Sequence, residues 1–376
     1  MTARQQQRKE RFRELVADHI APIASDIDKN EHLPIGTIQF LARSGLLGSL
    51  IPSKYGGRNF DMVSYGLLHE EIGKVCSSTR SLLTVHDMVT EAVYRLGNKK
   101  LRGTWLPRLA SGEKIGAFAL TESEAGSDTG SLRTLAAQVD DGFVLNGSKK
   151  WISFAQVADV FLVIARIGKD GPSAAILVPA DNPGLSIVPI TGMLGLRGSM
   201  LGELTFNNCH VPASALVGSS RMPEGLAIAT ALQLGRYSVA WGCVGIGEAC
   251  VAASYRYSNQ REQFGKPIAD HQLIRRMLTN MLAELRAARL LCYEAGYLTQ
   301  QRRPAAVDAT LIAKYFASRM ANRAARDAVQ IQGARGTHSA QPVERYFRDA
   351  RIMEIIEGST ELQQLIIPKH ARQTYS

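Results

Sequence analysis

Apolar residues recur with a helical period at both ends of this chain and in short runs between them. Near the N-terminus, Ile35, Ile38 and Leu41 follow helical spacing. The chain switches to short β-rich runs after about residue 112 and returns to helical spacing at about residue 223. We therefore predict a multi-domain α+β protein with three parts: an N-terminal helical domain at 1–112, a β-rich middle domain at 113–222 and a C-terminal helical domain at 223–376.

The middle zone is rich in β-branched and aromatic residues that lie between turn signals. Asp140-Asp141-Gly142 separates two of these runs and is typical of a hairpin. Many short strands close together predict a barrel or a small sandwich. The predicted strands are Gly116–Thr121, Ala137–Val139, Phe143–Asn146, Val160–Ile167, Ala174–Pro179, Leu185–Pro189 and Glu203–Phe206.

The C-terminal zone predicts three long helices. In the first, one mostly apolar stripe with spacings of three and four is interrupted by Arg236. The second runs from about His271 to Thr299 and the third from Ala305 to Ile331. A charge within such a stripe is usually paired, so Arg236 is either half of an interhelical ion pair or part of a site.

Composition narrows the functional classes. The 376 residues are 45% hydrophobic and 21% charged, and no run is long and apolar enough for a membrane span. The N-terminus lacks the apolar core of a secretion signal. The five cysteines and eight histidines show no metal-ligand spacing. We expect buried cysteines in a reducing cytoplasm and no metal site.

The formal net charge of +10 permits nucleic acid, a membrane surface or an acidic protein as partner. No basic helix with interleaved aromatic residues is present, which argues against nucleic acid. Two basic clusters could dock an acidic protein, although a solvated surface is the more ordinary explanation of either cluster taken singly. They are Lys99-Lys100-Leu101-Arg102 with Arg108, and Arg8, Lys9 and Arg11.

Glu357 is the strongest candidate for chemistry. It follows Ile355-Ile356 and precedes Gly358-Ser359-Thr360, a helix-opening signal. Desolvation by the apolar residues would raise its pKa and the helix end would lower it, so the carboxylate could serve as a general base. The alternative is a first-turn Glu that interacts favourably with the helix dipole.

Four further motifs stand in a characteristic order. They are Phe118–Asp128, Asn146–Ser153, Arg261–Pro267 and Gln330–Gly336. Together with Glu357-Gly358-Ser359-Thr360, they make the chain resemble the acyl-CoA dehydrogenase family of flavoproteins from about Phe12 to His370. The resemblance implies an N-terminal helical domain, a middle β-barrel and a C-terminal four-helix bundle.

By this resemblance, Glu357 is the catalytic base and Arg236 lies beneath its loop and orients it. The cofactor would be FAD. Arg261 and Phe264 would reach the flavin of a neighbouring subunit, and Gln332 and Gly333 would contact it across the dimer. The full set of implied cofactor-binding residues is Phe118, Leu120, Thr121, Gly126, Ser127, Trp151, Ser153, Arg261, Phe264, Gln272, Gln332, Gly333, Gly336, Ser359 and Glu361. Taken singly, these motifs also fit strand-end hydroxyls, a core Trp, a plain turn and a solvated helix-end charge.

The chain departs from the family pattern at several positions. Ser123 and Glu124 stand where Pro and Gly are common, which affects the fine shape of that loop. Ala334 replaces a usual glycine. Gln233 stands where an Asp often helps to hold the coenzyme A arm, which weakens the case for a coenzyme A thioester.

The implied reaction is FAD-dependent α,β-dehydrogenation of an acyl thioester, with Glu357 taking the α-proton and a hydride passing to flavin N5. The segment Ser238–Ile246 and the motifs Cys76-Ser77-Ser78 and Asp270–Leu273 look like the dehydrogenases of hydroxymalonyl or methoxymalonyl extender units. We therefore expect an acyl carrier protein as the thioester carrier, in polyketide biosynthesis. The alternative is a short-chain acyl-CoA dehydrogenase of catabolism. The resemblance also implies a homodimer or homotetramer, and an electron-transfer flavoprotein or oxygen as electron acceptor.

Overall fold

The computed structural model of the chain describes residues 1–169, 171–219, 222, 223 and 225–375. The N-terminal region is helical, as predicted. Thr2 opens the first helix with a capping box completed by Gln5, and Asp61 and Asn98 cap two later helices through their side chains. The helices are α1 (Ala3–His19), α2 (Ala24–Lys29), α3 (Ile35–Arg43), α4 (Met62–Gly73), α5 (Ser77–Leu96) and α6 (Lys99–Ser111).

The middle region forms one mixed sheet of eight strands. Its hydrogen-bonded order is β6-β7-β3-β2-β4-β5-β8, and β1 branches from this path by pairing with β4 in parallel. The strands are β1 (Gly116–Ala119), β2 (Leu135–Val139), β3 (Gly142–Ile152), β4 (Val160–Ile167), β5 (Ser173–Pro179), β6 (Leu185–Pro189), β7 (Gly202–Pro212) and β8 (Leu216–Val217). The Asp140-Asp141 turn joins β2 and β3 as the predicted hairpin.

Alternation along β4 shows how this sheet packs. Phe161 and Val163 join a core enclosed by the sheet itself, whereas Leu162 and Ile164 pack with Val89 on α5. The sheet therefore curls around one core and presents its other face to the N-terminal helices. This two-sided burial explains why β4 is a continuous apolar run in the sequence.

The C-terminal region is a helical bundle built on one central helix, α7 (Leu226–Gln260). Helix α7 packs against α9 and α8, and also against α4 and α5 of the N-terminal region. The remaining elements are the hairpin β9 (Glu262–Gln263) and β10 (Lys266–Pro267), followed by α8 (Gln272–Gln300), α9 (Ala306–Gln332), α10 (Pro342–Met353) and α11 (Thr360–Tyr375). The two later predicted helices are each displaced by only one residue.

Some predicted strand ends are wrong. Strand β1 ends at Ala119 rather than Thr121, because residues 120 and 121 leave the sheet to enter a turn. Strands β3 and β7 extend well beyond the predicted runs, since they pair with each other along their length. The two-residue strand β8 was not predicted, because so short a pairing has no periodic signal. All five cysteines are free and buried, as expected.

Candidate active site

One cavity lies where the three regions of the chain meet. Its volume is about 520 Å³, within the range of small-molecule sites, and its wall is mostly apolar. Side chains from α5, the sheet, α7 and the α10–α11 turn contribute to it. Of the predicted site residues, those that line it are Phe118, Leu120, Thr121, Gly126, Ser127, Trp151, Ser153, Arg236, Glu357 and Ser359.

The sheet side of the cavity is held by a buried ion pair. Lys149 Nζ lies 2.7 Å from Glu122 Oε1 and also donates to the Leu120 carbonyl. The Glu122 carboxylate accepts further hydrogen bonds from the backbone N–H groups of Arg133 and Thr134. This network fixes the turn after β1 against β3, which brings Thr121 close to the end of β3.

Three hydroxyl groups on this wall are available to a ligand. Thr121, Ser127 and Ser153 have no hydrogen-bond partner for their side chains within the described part of the chain. Trp151 has a positive φ of 62° and is 47% exposed, so its indole is turned out of the sheet toward the cavity. The wall therefore offers hydroxyl donors and an aromatic face to a flat ligand.

Glu357 lies in the turn between α10 and α11 and therefore precedes a helix, as expected. Its φ of 56° is unusual for a residue with a side chain. Arg236 Nε donates to the Glu357 carbonyl at 3.0 Å, and Lys314 Nζ donates to the Gly358 carbonyl at 2.6 Å. Two cationic side chains thus fix the backbone of this turn.

The structure contradicts one alternative interpretation of each of two residues. The first-turn acidic residue of α11 is Glu361, so the helix-dipole interpretation of Glu357 is wrong. Within the described residues Arg236 forms no ion pair at hydrogen-bonding distance. Its guanidinium holds a backbone carbonyl instead.

The carboxylate of Glu357 is poised for proton transfer. The residue as a whole is half-buried, but Oε2 is fully buried and has no hydrogen-bond partner in the described residues. Burial raises the pKa of Glu357 to about 7, although Arg236, Lys314 and Arg80 each lower it. A carboxylate with such a pKa at the edge of an apolar cavity can accept a proton from a bound ligand near neutral pH.

Helix α7 leaves room for this carboxylate at Gly235. A Cβ atom at that position would lie 2.4 Å from Glu357 Oε2. Gly235 was not predicted as a site residue. Its only signal is that it stands beside Arg236.

A loop from the sheet closes the cavity against α10. The Asp349 carboxylate accepts a hydrogen bond from the Leu196 N–H at 2.7 Å, and burial raises the pKa of Asp349 to about 6. Leu196 itself has a φ of 54° and lines the cavity. Arg348 bonds Asp28 and the Leu194 carbonyl, which ties the same loop to α2.

The other predicted residues do not line this cavity. Arg261 follows the C-terminal end of α7, and Phe264 and Gln272 lie beside a second concavity of about 660 Å³ at the β9–β10 hairpin. Gln332, Gly333 and Gly336 lie at the end of α9, and Glu361 is exposed on α11. The Arg335 guanidinium lies 5.8 Å from the Tyr257 ring centroid, which places the 333–337 turn at the same end of the bundle as Arg261.

That end of the bundle is distant from Glu357. Arg236 and Arg261 are 25 positions apart on α7, which at 1.5 Å per residue is roughly 37 Å. Phe264 is 94% exposed with a φ of 54°. This surface is therefore not part of the cavity that Glu357 borders in the same chain.

The structure adds residues that sequence reasoning missed. Lys314 and Arg80 act on Glu357 by charge, and Met88, Leu232 and Ile352 shape the cavity wall. Lys314 had a weak signal, because it is a lone charge in the apolar run Leu311–Phe316, whereas Arg80 stands among Ser and Thr residues and had none. Within the described ranges, no helix is long and apolar enough to cross a bilayer, and no cluster of His, Cys, Asp and Glu side chains could hold a metal ion.

Comparison with known proteins agrees with this architecture. Three family models match the chain: the acyl-CoA dehydrogenase N-terminal domain at residues 2–113, the middle domain at 117–209 and the C-terminal domain at 224–371. A probable acyl-CoA dehydrogenase of Bacillus subtilis, YngJ, is 38% identical over 98% of both chains. The human mitochondrial short-chain specific acyl-CoA dehydrogenase is 34% identical over 96% of this chain and 89% of its own length.

Solved structures give the same result. Butyryl-CoA dehydrogenase from Megasphaera elsdenii superposes with a TM-score of 0.94 at 32% identity, covering 98% of each chain. FkbI, for biosynthesis of the methoxymalonyl extender unit of a polyketide, has a TM-score of 0.89 at 33% identity over 97% of this chain and 99% of its own. A glutaryl-CoA dehydrogenase from Mycobacterium smegmatis in complex with FADH2 has a TM-score of 0.93 at 30% identity, covering 98% of this chain and 95% of its own. This chain belongs to the acyl-CoA dehydrogenase family of oxidoreductases.

Proposed function

We propose that this protein is an acyl-CoA dehydrogenase that oxidises short-chain acyl thioesters with Glu357 as the base. The observation that carries the proposal is the buried Oε2 of Glu357, which has no partner among the described residues and lies beside an apolar cavity. The similarity to short-chain specific and butyryl-CoA dehydrogenases supports the choice of substrate.

The cofactor is FAD, and the residues of the cavity fit it. The hydroxyl groups of Thr121, Ser127 and Ser153, which have no partner in the described ranges, offer donors to a ring edge. The Trp151 indole offers an aromatic face, and the small-residue turn at Gly126 and Ser127 offers backbone N–H groups to an anion. When bound, FAD supplies a hydride acceptor. Thr121, Trp151 and Ser153 would hold the flavin ring, and Gly126 and Ser127 would lie near its pyrophosphate.

The residues of the chain supply the proton chemistry. An α-proton of a thioester becomes acidic enough only if the carbonyl oxygen is hydrogen-bonded as charge develops. The backbone N–H of Glu357 has no protein acceptor in the described residues and is free to serve as such a donor. The Glu357 carboxylate then takes the α-proton, while Leu232, Ile352 and Ile356 help to exclude water.

Flavin reduction tests this function directly. Purified holoenzyme would be mixed anaerobically with butyryl-CoA, and the loss of oxidised-flavin absorbance followed. We expect bleaching with butyryl-CoA and much slower bleaching with a long-chain thioester, because the cavity of about 520 Å³ must hold the flavin ring as well as the acyl chain. No bleaching with any acyl thioester would contradict the proposal.

A second candidate function is dehydrogenation of an acyl group on an acyl carrier protein, as in polyketide extender-unit biosynthesis. The similarity to FkbI over 97% of the chain favours it. The net charge of +10 also suits an acidic carrier. Gln233 bonds Thr310 and the Ala306 carbonyl on α9, so its amide is already engaged in helix packing.

The two basic clusters differ in how far their charges are paired with acidic residues. Arg8 is paired with Asp61, and Lys9 with Glu70, so the N-terminal cluster is largely neutralised. Lys99 and Lys100 are exposed on α6. They are the better candidate for docking a carrier.

Salt dependence distinguishes the two functions. Turnover of an acyl-carrier-protein substrate should fall steeply with ionic strength, because exposed charges are screened within about 10 Å at 0.1 M salt. A pantetheine thioester of the same acyl group is the uncharged control. A higher kcat/KM for the coenzyme A thioester, with no selective effect of salt on the carrier substrate, would exclude the carrier-protein function.

We also propose that the protein is a homodimer or homotetramer in the cytoplasm, with an electron-transfer flavoprotein or oxygen as acceptor. Arg261, at the end of α7 far from Glu357, supports the assembly, and the other predicted cofactor residues lie with it outside the cavity. They are Phe264, Gln272, Gln332, Gly333 and Gly336. Phe264 and Leu273 are exposed apolar side chains at that end and would be covered by a second copy.

A further inference from the structure

Arg80 is a buried cation that the proposed chemistry leaves unexplained. It lies on α5, is 0% exposed, and has no carboxylate within ion-pair distance in the described part of the chain. Its Nη1 donates to Thr84 Oγ1 at 2.7 Å, its Nη2 lies 4.0 Å from Met353 Sδ, and its Nε has no partner. Burying an unpaired charge is costly, so its retention needs a reason.

Helix α7 is shaped to receive this side chain. A Cβ at Gly242 would lie 2.3 Å from Arg80 Cδ, just as a Cβ at Gly235 would meet the Glu357 carboxylate. These glycines are seven residues apart and therefore lie on the same face of the helix. One face of α7 thus accommodates the side chain of Arg80 at Gly242 and the carboxylate of Glu357 at Gly235, two helical turns away.

Hydrogen-bonded hydroxyl groups join the two positions. Thr84 Oγ1, which accepts from Arg80, lies 2.9 Å from Ser238 Oγ. Ser238 Oγ in turn donates to the Gly235 carbonyl at 2.9 Å. A continuous series of hydrogen bonds therefore leads from Arg80 to the carbonyl of Gly235, the residue whose missing Cβ leaves room for the Glu357 carboxylate.

We propose that Arg80 is a positioning residue that keeps the Glu357 carboxylate ionised and in place when an acyl chain fills the cavity and displaces water. This inference rests on the proposed role of Glu357 as base. Arg80 lies against the same face of α7 as Glu357, two turns away, and does not line the cavity. Its guanidinium keeps its charge at any working pH.

The other two cations near Glu357 also lower its pKa, and they have a structural task besides. Arg236 on α7 and Lys314 on α9 bond the carbonyls of Glu357 and Gly358 and so hold the turn. Burial also lowers the pKa of Lys314 to about 8, so its charge is lost in mildly alkaline solution. Glu354, at the end of α10, bonds Asn322 and Arg351. Asp349 on α10 also acts on Arg80 by charge, but it makes no ion pair with Arg80 in the described residues, and its carboxylate accepts from the Leu196 N–H. Arg80 is therefore the cation near Glu357 that bonds neither the turn nor a carboxylate.

The test is a direct titration of Glu357 in the holoenzyme. The protonated-carboxyl infrared band, identified by its absence in Glu357→Gln, would be followed against pH in wild type, Arg80→Met and Arg80→Lys. We expect Arg80→Met to raise the titration midpoint and Arg80→Lys to restore most of the wild-type value. Lys54→Met, which removes an exposed cation, should titrate like wild type.

In the pH profile of the anaerobic flavin-reduction rate, the acid limb should shift by the same amount as the titration midpoint of the carboxyl infrared band. If the midpoint rises by one pH unit, about tenfold less of the base is ionised at pH values below both midpoints, and the rates converge at high pH. Should Arg80→Met fail to fold, Arg80→Gln is the second neutral variant, because it retains a donor for Thr84.

Two results would overturn the proposal. One is an unchanged midpoint in a folded neutral variant. The other is an unchanged pH profile with turnover lost only for acyl groups that carry a second carboxylate, which would make Arg80 a substrate-binding residue. A raised infrared midpoint in a protein that no thioester reduces would instead support Arg80 and contradict the proposed function.

Discussion

Glu357 combines several features that cost free energy of folding. Its φ of 56° is strained for a non-glycine residue, and its Oε2 is buried without a hydrogen-bond partner among the described residues. Arg236 and Lys314 hold the turn through the carbonyls of residues 357 and 358 and so impose this geometry. Such strain at a cavity wall is typical of a functional residue.

Replacing Glu357 by Gln should separate stability from activity. Because the pKa of Glu357 is raised from 4.5 to about 7, the ionised form destabilises the fold increasingly as pH rises from 4.5 through 7. At pH 8 we expect Glu357→Gln to be more stable in urea unfolding by on the order of 1–3 kcal/mol. Anaerobic flavin reduction should be slower by about a hundredfold or more, with flavin content unchanged. A near wild-type reduction rate would show that Glu357 is not the base.

A substitution at Gly235 tests whether the position of the Glu357 carboxylate matters for activity. In Gly235→Ala the new methyl group would lie 2.4 Å from Glu357 Oε2, so the carboxylate must move. We expect flavin reduction to fall by about tenfold or more, because proton transfer depends on placement within a fraction of an ångström. Gly103→Ala on α6, where nothing lies within 4 Å of the added methyl, is the matched control. Equal activity of the two variants would mean that the carboxylate does not need this space.

At the scale of elements, His86 joins α5 to the sheet. Its Nδ1 accepts from the Gly116 N–H at 3.1 Å and its Nε2 lies 3.1 Å from the Leu109 carbonyl. This neutral tautomer bridges the end of α6 and the start of β1, the strand that leads to Phe118. Burial lowers the pKa of His86 to about 4.

This bridge predicts a pH-dependent stability. His86 has a lower pKa folded than unfolded, so its contribution is complete above pH 6.5 and is lost as pH falls toward 4. The loss amounts to about 3 kcal/mol for a fully buried imidazole. His86→Gln should be less stable than wild type at pH 7 and should lose less stability between pH 6.5 and 4 in urea unfolding. His210→Gln, at an exposed histidine, should follow the wild-type pH dependence.

The elements themselves were largely predictable from the sequence. Helices α8 and α9 and strands β4 and β6 follow strong periodic runs, and their predicted bounds are correct to within a residue. The long pairing of β3 with β7 was not predictable, because it depends on a partner about sixty residues away. Local motifs were sufficient to indicate Glu357 and Thr121. Gly235, Arg80 and Lys314 were not predictable in this way, because their positions near Glu357 depend on how α5, α7 and α9 pack against one another.

At the scale of the whole molecule, α7 spans the bundle from one candidate binding surface to another. Its N-terminal half borders the cavity with Glu357, and its C-terminal end carries Arg261 and the exposed Phe264. The distance of roughly 37 Å between Arg236 and Arg261 means that both ends serve one flavin only if it lies between two copies. In a twofold-symmetric dimer, each copy would then complete the site of the other.

A mixing experiment tests this arrangement. Glu357→Gln and Arg261→Ala would each be purified, dissociated together and reassembled with FAD. If Arg261 acts on the neighbour's flavin, both substitutions of a mixed dimer fall in one site and the other site is entirely wild type. Random pairing then restores roughly a quarter of the wild-type active sites, although each parent alone is impaired. If Arg261 acts within its own chain, every site carries one defect and mixing restores nothing, so the measured flavin-reduction amplitude after reassembly distinguishes a shared site from a separate one.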